Sequence, residues 1–175
     1  APPLGRVRLA AQVATSARLD GASFDELDLA GASFTDCSLR GASFIRCDLR
    51  GASFEGCDLS GACFYGAHLA GSTLTRCELA SADLRNAILD EAELSEVAPC
   101  AAWIEGATFR GATLGECAFH QRSWSHVSLA GADLSGADLS GLDLSGLDLS
   151  DAVLAGCDLT GARLSGATLV GATLE

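Results

Sequence analysis

The hydrophobic pattern of this chain has a period of five residues. Leucine or phenylalanine occupies nearly every fifth position from Leu4 to Leu174, and the register does not slip. The exceptions at these central positions are Ala14, Pro99, Ile104 and Trp124. An α-helix would scatter such residues around its surface, and a flat strand would point them alternately to opposite faces. The period therefore predicts a chain that turns a corner once per five residues around one apolar axis.

The remaining positions of the five-residue unit favour the same corner. Nearly all of the 20 glycines lie two residues after a central position, where their tolerance of a positive φ suits a tight turn. Alanine or cysteine usually lies two residues before it, as at Ala32 and Cys37, which indicates a narrow interior. A short polar residue, such as Ser23 or Asp28, usually lies one residue before it and can bond to nearby backbone.

The unit resembles the pentapeptide-repeat family, whose consensus is A-(D/N)-L-x-x. Clear matches begin at Ala82, Ala132 and Ala137, each followed by aspartate and leucine, and the resemblance covers residues 17–175. It implies an all-β fold, a right-handed quadrilateral β-helix (β-solenoid) with four pentapeptides per coil and about eight coils. Residues 1–16 keep only a faint register, so we expect a weakly repetitive N-terminal cap or lead-in there.

The net charge of −12 argues against direct binding to nucleic acid or to an anionic membrane, but it permits a protein partner with a basic surface. No apolar run is long enough for a transmembrane helix, and we expect a cytoplasmic protein. Because the chain contains no methionine, even at position 1, we expect a processed chain or an excised domain.

Most of the 8 cysteines are expected to be buried free thiols. Six occupy the small interior position: Cys37, Cys47, Cys57, Cys77, Cys117 and Cys157. Stacked pairs such as Cys37 and Cys57 would lie within Cα range for a disulfide, but their parallel Cβ vectors would give a poor dihedral. Cys63 and Cys100 lie outside this pattern and are expected to be the most reactive. With no C-x-x-C spacing, we expect no metal and no cofactor.

Assigning each pentapeptide to one of four faces separates the charges. The face centred on Phe34, Phe54, Leu74, Leu94, Leu114 and Leu134, which continues to Leu174, has seven acids including Glu175 and one arginine, a net of −6, and is called the acidic face below. The face centred on Phe24, Phe44, Phe64, Leu84, Ile104, Trp124 and Leu144 has no net charge and is called the neutral face. Six candidate partner-binding residues lie on the acidic face: Asp36, Glu55, Glu93, Glu96, Glu116 and Asp133.

Two interpretations of the acidic face remain open. Some members of the family that the chain resembles bind DNA gyrase and topoisomerase IV as DNA mimics, which implies a topoisomerase as a possible partner. Those members commonly carry a C-terminal dimerisation helix, whereas this chain is still in repeat at Leu174. Alternatively, acids that precede a central residue, such as Glu93 and Asp133, are structural, and the rest fall unevenly by chance.

Two departures from the repeat predict an irregular patch, formed by Pro99, Trp103, Arg122 and Trp124. It is either a recognition site or a local packing variation in which Trp124 fills the core. Near the other end, we expect Leu164, Leu169 and Leu174 to lie at an unpaired edge that dimerises end to end or meets a cap. The three histidines and the many serines form no recognisable catalytic set, so we expect no enzyme.

The function that these features favour is a non-catalytic protein-interaction scaffold built on a rigid β-helical rod. One alternative is a DNA-mimicking binder of a type II topoisomerase that confers inhibitor resistance or toxin protection. Another is a structural module of a larger protein, such as an effector or a secretion adaptor.

Overall fold

The structure is a computed structural model that describes residues 13–97, 102–114 and 124–175. Five three-residue strands form one parallel sheet in chain order: β1 Val13–Thr15, β2 Ser33–Thr35, β3 Ser53–Glu55, β4 Thr73–Thr75 and β5 Glu93–Ser95. Each strand pairs with the strand twenty residues later, so that Phe34 faces Phe54 and Phe54 faces Leu74. Single-residue parallel bridges with the same spacing join the coils on the other faces. This is the predicted right-handed quadrilateral β-helix, and that prediction is confirmed.

Strand β1 lies inside the segment 1–16 that was predicted to be a lead-in. It pairs in parallel with β2, with Val13 opposite Ser33 and Thr15 opposite Thr35. The regular stacking is therefore already established at Val13. Residues 1–12 lie outside the described residues, so a cap in that segment stays a prediction.

The corners depend on a left-handed residue two positions after the centre. After Leu19, for example, Gly21 has a φ of 67°, and the Ala22 amide donates to the Leu19 carbonyl at 3.0 Å. This is the hydrogen bond of a β-turn whose third residue has a positive φ, as in type II turns. Larger residues also adopt this conformation at some corners, including Arg46 and Asn86. Left-handed backbone costs a residue with a Cβ about 1–2 kcal/mol, which explains why glycine predominates there.

The corners along the acidic face change in character along the rod. In the described residues, no hydrogen bond closes the corner between the Phe54 carbonyl and the Cys57 amide. The chain instead stays extended through Glu55, which pairs with Thr35 and Thr75 in the adjoining coils. Further along, the Ala137 amide bonds to the Leu134 carbonyl at 2.9 Å, so that corner closes. The acidic face is therefore a flat sheet over its first five coils and a series of tight turns later.

The core is a column of stacked central side chains. The Phe44 ring stacks on Phe24 and Phe64 with centroid distances of 4.8 and 4.9 Å, and Phe34 stacks on Phe54 at 5.0 Å. These two stacks meet edge to face, with 5.9 Å between the centroids of Phe44 and Phe54. The ring spacing equals the spacing of hydrogen-bonded strands, about 4.8 Å, so backbone and core stack in register. The result is a rigid rod with a thin apolar axis.

The cysteines of the described segments are free thiols, as predicted: Cys37, Cys47, Cys57, Cys63, Cys77 and Cys157. Cys37, Cys57 and Cys77 stack beneath the open corners of the acidic face, where the Cys57 thiol donates to the Phe34 carbonyl at 3.4 Å. A hydrogen bond with the Cys77 thiol lowers the pKa of Cys57 to about 7 and raises that of Cys77. Cys100 and Cys117 lie outside the described residues.

Candidate functional site

The acidic face presents its carboxylates in two parallel rows. One row follows the corners, where Asp36, Gly56, Arg76 and Glu96 occupy successive coils. The other row follows the polar positions, where Glu93 pairs with Thr113 and Thr113 pairs with Asp133. At about 4.8 Å per coil, Asp36 and Glu96 lie roughly 14 Å apart along the rod. The structure therefore places Asp36, Glu93, Glu96 and Asp133 on one side of the molecule, whereas Glu116 lies outside the described residues.

Glu55 is partly neutralised by its neighbour in the next coil. The Arg76 Nη2 atom lies 2.6 Å from Glu55 Oε1, and about half of each side chain is exposed to solvent. Ion pairs this exposed contribute up to about 1 kcal/mol to stability. The pair divides the acidic face into an isolated Asp36 and a group formed by Glu93, Glu96 and Asp133.

Some of the acids on this face hold their own turn. Asp133 Oδ1 accepts hydrogen bonds from the Ser135 amide at 3.0 Å and the Ser135 hydroxyl at 2.6 Å. These bonds hold the pKa of Asp133 below its usual value, with the hydroxyl as the larger cause. The bond from the backbone amide two positions later recurs at Asp138, Asp143 and Asp148. Asp133 is thus a structural residue whose charge also faces solvent.

Asp36 and Glu96 are different, because the repeat does not require an acid where they lie. Both occupy the corner position, with φ values of 51° and 53°, where glycine is the usual residue. Both are exposed. A carboxylate at a left-handed corner costs more than glycine. Their charge is therefore the part of the acidic face that the fold itself does not explain.

The predicted irregular patch separates into a surface residue and a core residue. Trp103 is 43% exposed and pairs in register with Asp83, which lies one coil earlier on the neutral face. Trp124 is 4% exposed and occupies the central position, so its indole fills the core. Pro99 and Arg122 lie outside the described residues, so their part in a patch stays a prediction.

A cleft that the repeat pattern does not predict opens in the neutral face below Trp124. It has a volume of about 530 Å³ and lies between residues 124–127 of one coil and Asp143, Ser145, Gly146 and Leu147 of the next. The coils normally bond here: the Gly106 amide donates to the Ser125 carbonyl at 2.9 Å, and the Gly146 amide to the Ser165 carbonyl at 3.0 Å. The corresponding bond from the His126 amide to the Ser145 carbonyl is not formed.

Large side chains at positions that are normally small account for the opening. Leu142 and Leu147 occupy interior positions that hold alanine in most coils, and both are buried. They lie directly below the coil that carries Trp124 and Val127, which are also large for their positions. Extra volume in a close-packed core forces backbone shifts. The visible signal in the sequence was that Leu142 and Leu147, with Leu27, are the leucines outside the five-residue register.

A second, smaller cavity adjoins this cleft on the same face. It has a volume of about 320 Å³ and is lined by Tyr65, Arg85, Asn86, Glu105, Gly106 and His126. His126 lines both cavities, so the two adjoin at this residue on the neutral face. Tyr65, which is 39% exposed, gives the smaller cavity an aromatic side.

The last coil exposes residues that are buried elsewhere in the rod. Leu164 is half-buried, whereas Leu169 and Leu174 are 36% and 58% exposed. Val170 beside them is 75% exposed. The structure thus brings the three predicted dimerisation residues to one end of the rod.

Two further observations bear on the chemistry of the described segments. Within residues 13–97, 102–114 and 124–175, no three His, Cys, Asp or Glu side chains are grouped as a metal site requires. The same segments contain no helix with the length and apolar character needed to span a membrane.

Comparisons with known proteins agree with this architecture. The family model described as a pentapeptide repeat region matches residues 13–84, and the model of pentapeptide repeats (8 copies) matches residues 104–141, 114–151 and 148–175. A search of curated proteins finds no match.

Two solved structures are similar along most of their length. HetL, a pentapeptide repeat protein involved in heterocyst differentiation regulation from the cyanobacterium Nostoc sp. strain PCC 7120, is 28% identical, with a TM-score of 0.53 over 97% of this chain and 90% of that chain. Full-length QnrB1, a plasmid-mediated fluoroquinolone resistance protein, is 23% identical, with a TM-score of 0.50 over 93% of each chain. At that identity, the likeness to QnrB1 concerns the fold.

Proposed function

The chain belongs to the pentapeptide-repeat family, and from that premise we propose that it is a non-catalytic scaffold that binds a protein partner through its acidic face. The observation that carries the proposal is the row of exposed acids at the corners, Asp36 and Glu96. Neither carboxylate is needed by its turn, and both lie on the same side of a rigid rod as Glu93 and Asp133.

The physical basis of the proposal is electrostatic attraction. The acidic face carries a net charge of −6, whereas the neutral face carries none. Exposed charges are screened beyond about 8 Å at physiological ionic strength, so each acid attracts mainly the part of the partner that lies against it, and a field of one sign accelerates association with an oppositely charged surface. The partner that this face fits therefore presents a basic surface. The free thiols favour a reducing compartment such as the cytoplasm for this encounter.

The experiment uses the full chain and a decameric arginine peptide as the basic probe. The double variant Asp36→Arg/Glu96→Arg should weaken the affinity measured by isothermal titration about tenfold at 0.1 M salt, because two attractive contacts become repulsive. The matched control is Glu91→Arg/Asp151→Arg, which makes the same charge change at corner positions of another face. Arginine is tolerated at such corners, as Arg46 and Arg76 show. Equal weakening in both variants would mean that net charge matters and the acidic face does not.

A type II topoisomerase is a second candidate partner. The supporting observation is that acids recur along one side of the rod, with Asp36 and Glu96 three coils apart and Glu93 and Asp133 two coils apart, so this side presents a line of negative charge, as a DNA strand does. The test is a supercoiling assay with DNA gyrase, with and without a fluoroquinolone. The protein should inhibit or protect gyrase at micromolar concentration, and Asp36→Arg/Glu96→Arg should not. No effect of the unaltered protein would eliminate this candidate.

End-to-end homodimerisation is also part of the proposal. It is supported by the exposure of Leu169 and Leu174 beside half-buried Leu164, because edges that expose core residues and strand groups favour self-association. Sedimentation should show a concentration-dependent dimer that Leu174→Glu disrupts. A monomer at all concentrations would refute it.

A further inference from the structure

We propose that the cleft between Trp124 and Leu147 binds an extended peptide segment of a partner that carries a basic side chain. This inference rests on the scaffold function proposed above, but it concerns the neutral face and a different kind of contact. At the cleft, the peptide of the partner adds a strand between two coils, whereas at the acidic face the partner is attracted by charge alone.

One backbone hydrogen bond of the ladder between the coils, from the His126 amide to the Ser145 carbonyl, is not formed, and this position is called the unformed rung. It provides the backbone groups for such a strand. In the coils before and after, the equivalent amide and carbonyl bond to each other at 2.9 Å for Gly106 and Ser125 and 3.0 Å for Gly146 and Ser165. The His126 amide and the Ser145 carbonyl do not. The ladder recovers on the next face, where the Leu129 amide reaches the Asp148 carbonyl at a long 3.3 Å. Backbone groups of this kind are normally paired, and an added strand would pair them.

The cleft has the size and composition of a binding site. Its volume of about 530 Å³ lies within the usual range for ligand pockets, about 300–1,000 Å³. Apolar residues Val127 and Leu147 line it together with polar ones, including His126 and Asp143. A lining of both kinds suits a peptide in which apolar and polar side chains alternate.

Asp143 determines the charge of the occupant. Its carboxylate lines the cleft, and its own turn holds it in place through the Ser145 amide at 3.1 Å. Its basic partner, Arg163, is 3.4 Å away, but both side chains are more than half exposed, so an incoming guanidinium can compete with that pair. The overall net charge of −12 favours the same sign in the ligand.

The first experiment measures binding with a defined probe, acetyl-Val-Arg-Val-Arg-Val-amide. In a Trp103→Phe variant, Trp124 is the remaining indole, and its emission should change as the peptide saturates the cleft. The glutamate version of the peptide should bind at least tenfold more weakly, and a version with methylated backbone amides should not bind. If the arginine peptide does not bind, or if the glutamate peptide binds as well, the proposal is wrong.

Matched variants locate the site. Asp143→Asn should weaken the binding about threefold to fivefold. Asp138→Asn should not, although Asp138 accepts the same bond from its own turn, because it lies on another face. The acidic-face variant Asp36→Arg/Glu96→Arg and its matched control Glu91→Arg/Asp151→Arg should bind the peptide equally well, because the two variants have the same net charge and both leave the cleft unaltered. The scaffold proposal and the cleft proposal can therefore fail separately.

Hydrogen exchange reports on the rung itself. The His126 amide should exchange rapidly in the free protein and at least tenfold more slowly with saturating peptide, whereas the Gly146 amide should be protected in both states. The closing variant Leu142→Ala/Leu147→Ala restores the usual small residues, so it should protect the His126 amide without peptide and abolish peptide binding. Peptide binding that leaves His126 exchange unchanged would overturn the proposed mode of recognition.

Discussion

Truncation of Phe54 tests whether the stacked column holds the rod together. Phe54 is fully buried, with its ring stacked 5.0 Å from Phe34 and edge to face with Phe44 at 5.9 Å and Phe64 at 6.1 Å. Replacing a buried phenylalanine by alanine costs about 3–5 kcal/mol, and an aromatic pair contributes about 0.5–1.5 kcal/mol beyond its buried area. With three such pairs lost at once, Phe54→Ala should lower the free energy of unfolding by close to 5 kcal/mol.

Phe54→Leu separates the aromatic contacts from the cavity. The next coil carries Leu74 at the same position, also fully buried, so leucine fits the column. This variant should lose about 1–2 kcal/mol, mainly from ring contacts. As a surface control, Glu55→Gln beside it removes only the exposed ion pair with Arg76 and should cost at most about 1 kcal/mol.

Urea unfolding followed by circular dichroism gives the free energies by linear extrapolation. Because repeat proteins unfold from local units, hydrogen exchange should also place the loss in the coils around Phe54 and spare those around Leu154. A cost below about 2 kcal/mol for Phe54→Ala would show that the stacked column does not hold the rod together. Equal costs for leucine and alanine at this position would show that filling the volume of the column contributes nothing to stability.

Three further predictions follow from the corners, the turn aspartates and the thiols. Gly51 has a φ of 62°, and nothing lies near the methyl group that alanine would add, so Gly51→Ala should lower the free energy of unfolding in urea by about 1 kcal/mol. Gly106→Ala should lower it more, because its methyl group would meet the Asn86 side chain. The pKa of Asp133 is lowered in the folded state, so its contribution to stability is present above its ordinary value of 3.8 and is lost as the pH falls below it. The melting temperature should therefore drop below about pH 4, and Asp133→Asn should reduce that drop. In the native protein, iodoacetamide should modify half-buried Cys63, whereas fully buried Cys47 should react only on unfolding, as peptide mapping by mass spectrometry can show.

The five-residue period was sufficient to predict the fold because each position of the unit has one structural role. The central leucines and phenylalanines fill the axis, and glycines such as Gly21 adopt the positive φ that the corner requires. The face on which each acid lies follows from its position in the twenty-residue coil. The sequence therefore predicted which residues share the acidic face, although it did not predict that Arg76 would pair with Glu55.

The cleft could not be predicted in this way, because it arises from volumes and not from the pattern. Trp124, Leu142 and Leu147 depart from the usual residues of the repeat, but each is still an apolar residue at an interior position, so the pattern alone does not predict an opening. Only their combined size in two adjacent coils separates the backbones. Predicting that outcome requires the packing of neighbouring coils in three dimensions.

The pairing of each residue with the residue twenty positions later makes the rod sensitive to the length of any insertion or deletion. Removing a whole coil would shorten the rod and leave every other residue on its own side. Removing one pentapeptide between Asp36 and Glu93 would keep the repeat intact, yet it would rotate everything after the deletion by a quarter turn. Glu93, Glu96 and Asp133 would then face away from Asp36. A homologue that shares the function of this surface should therefore differ in length between these residues by multiples of twenty, a constraint that stability alone does not impose.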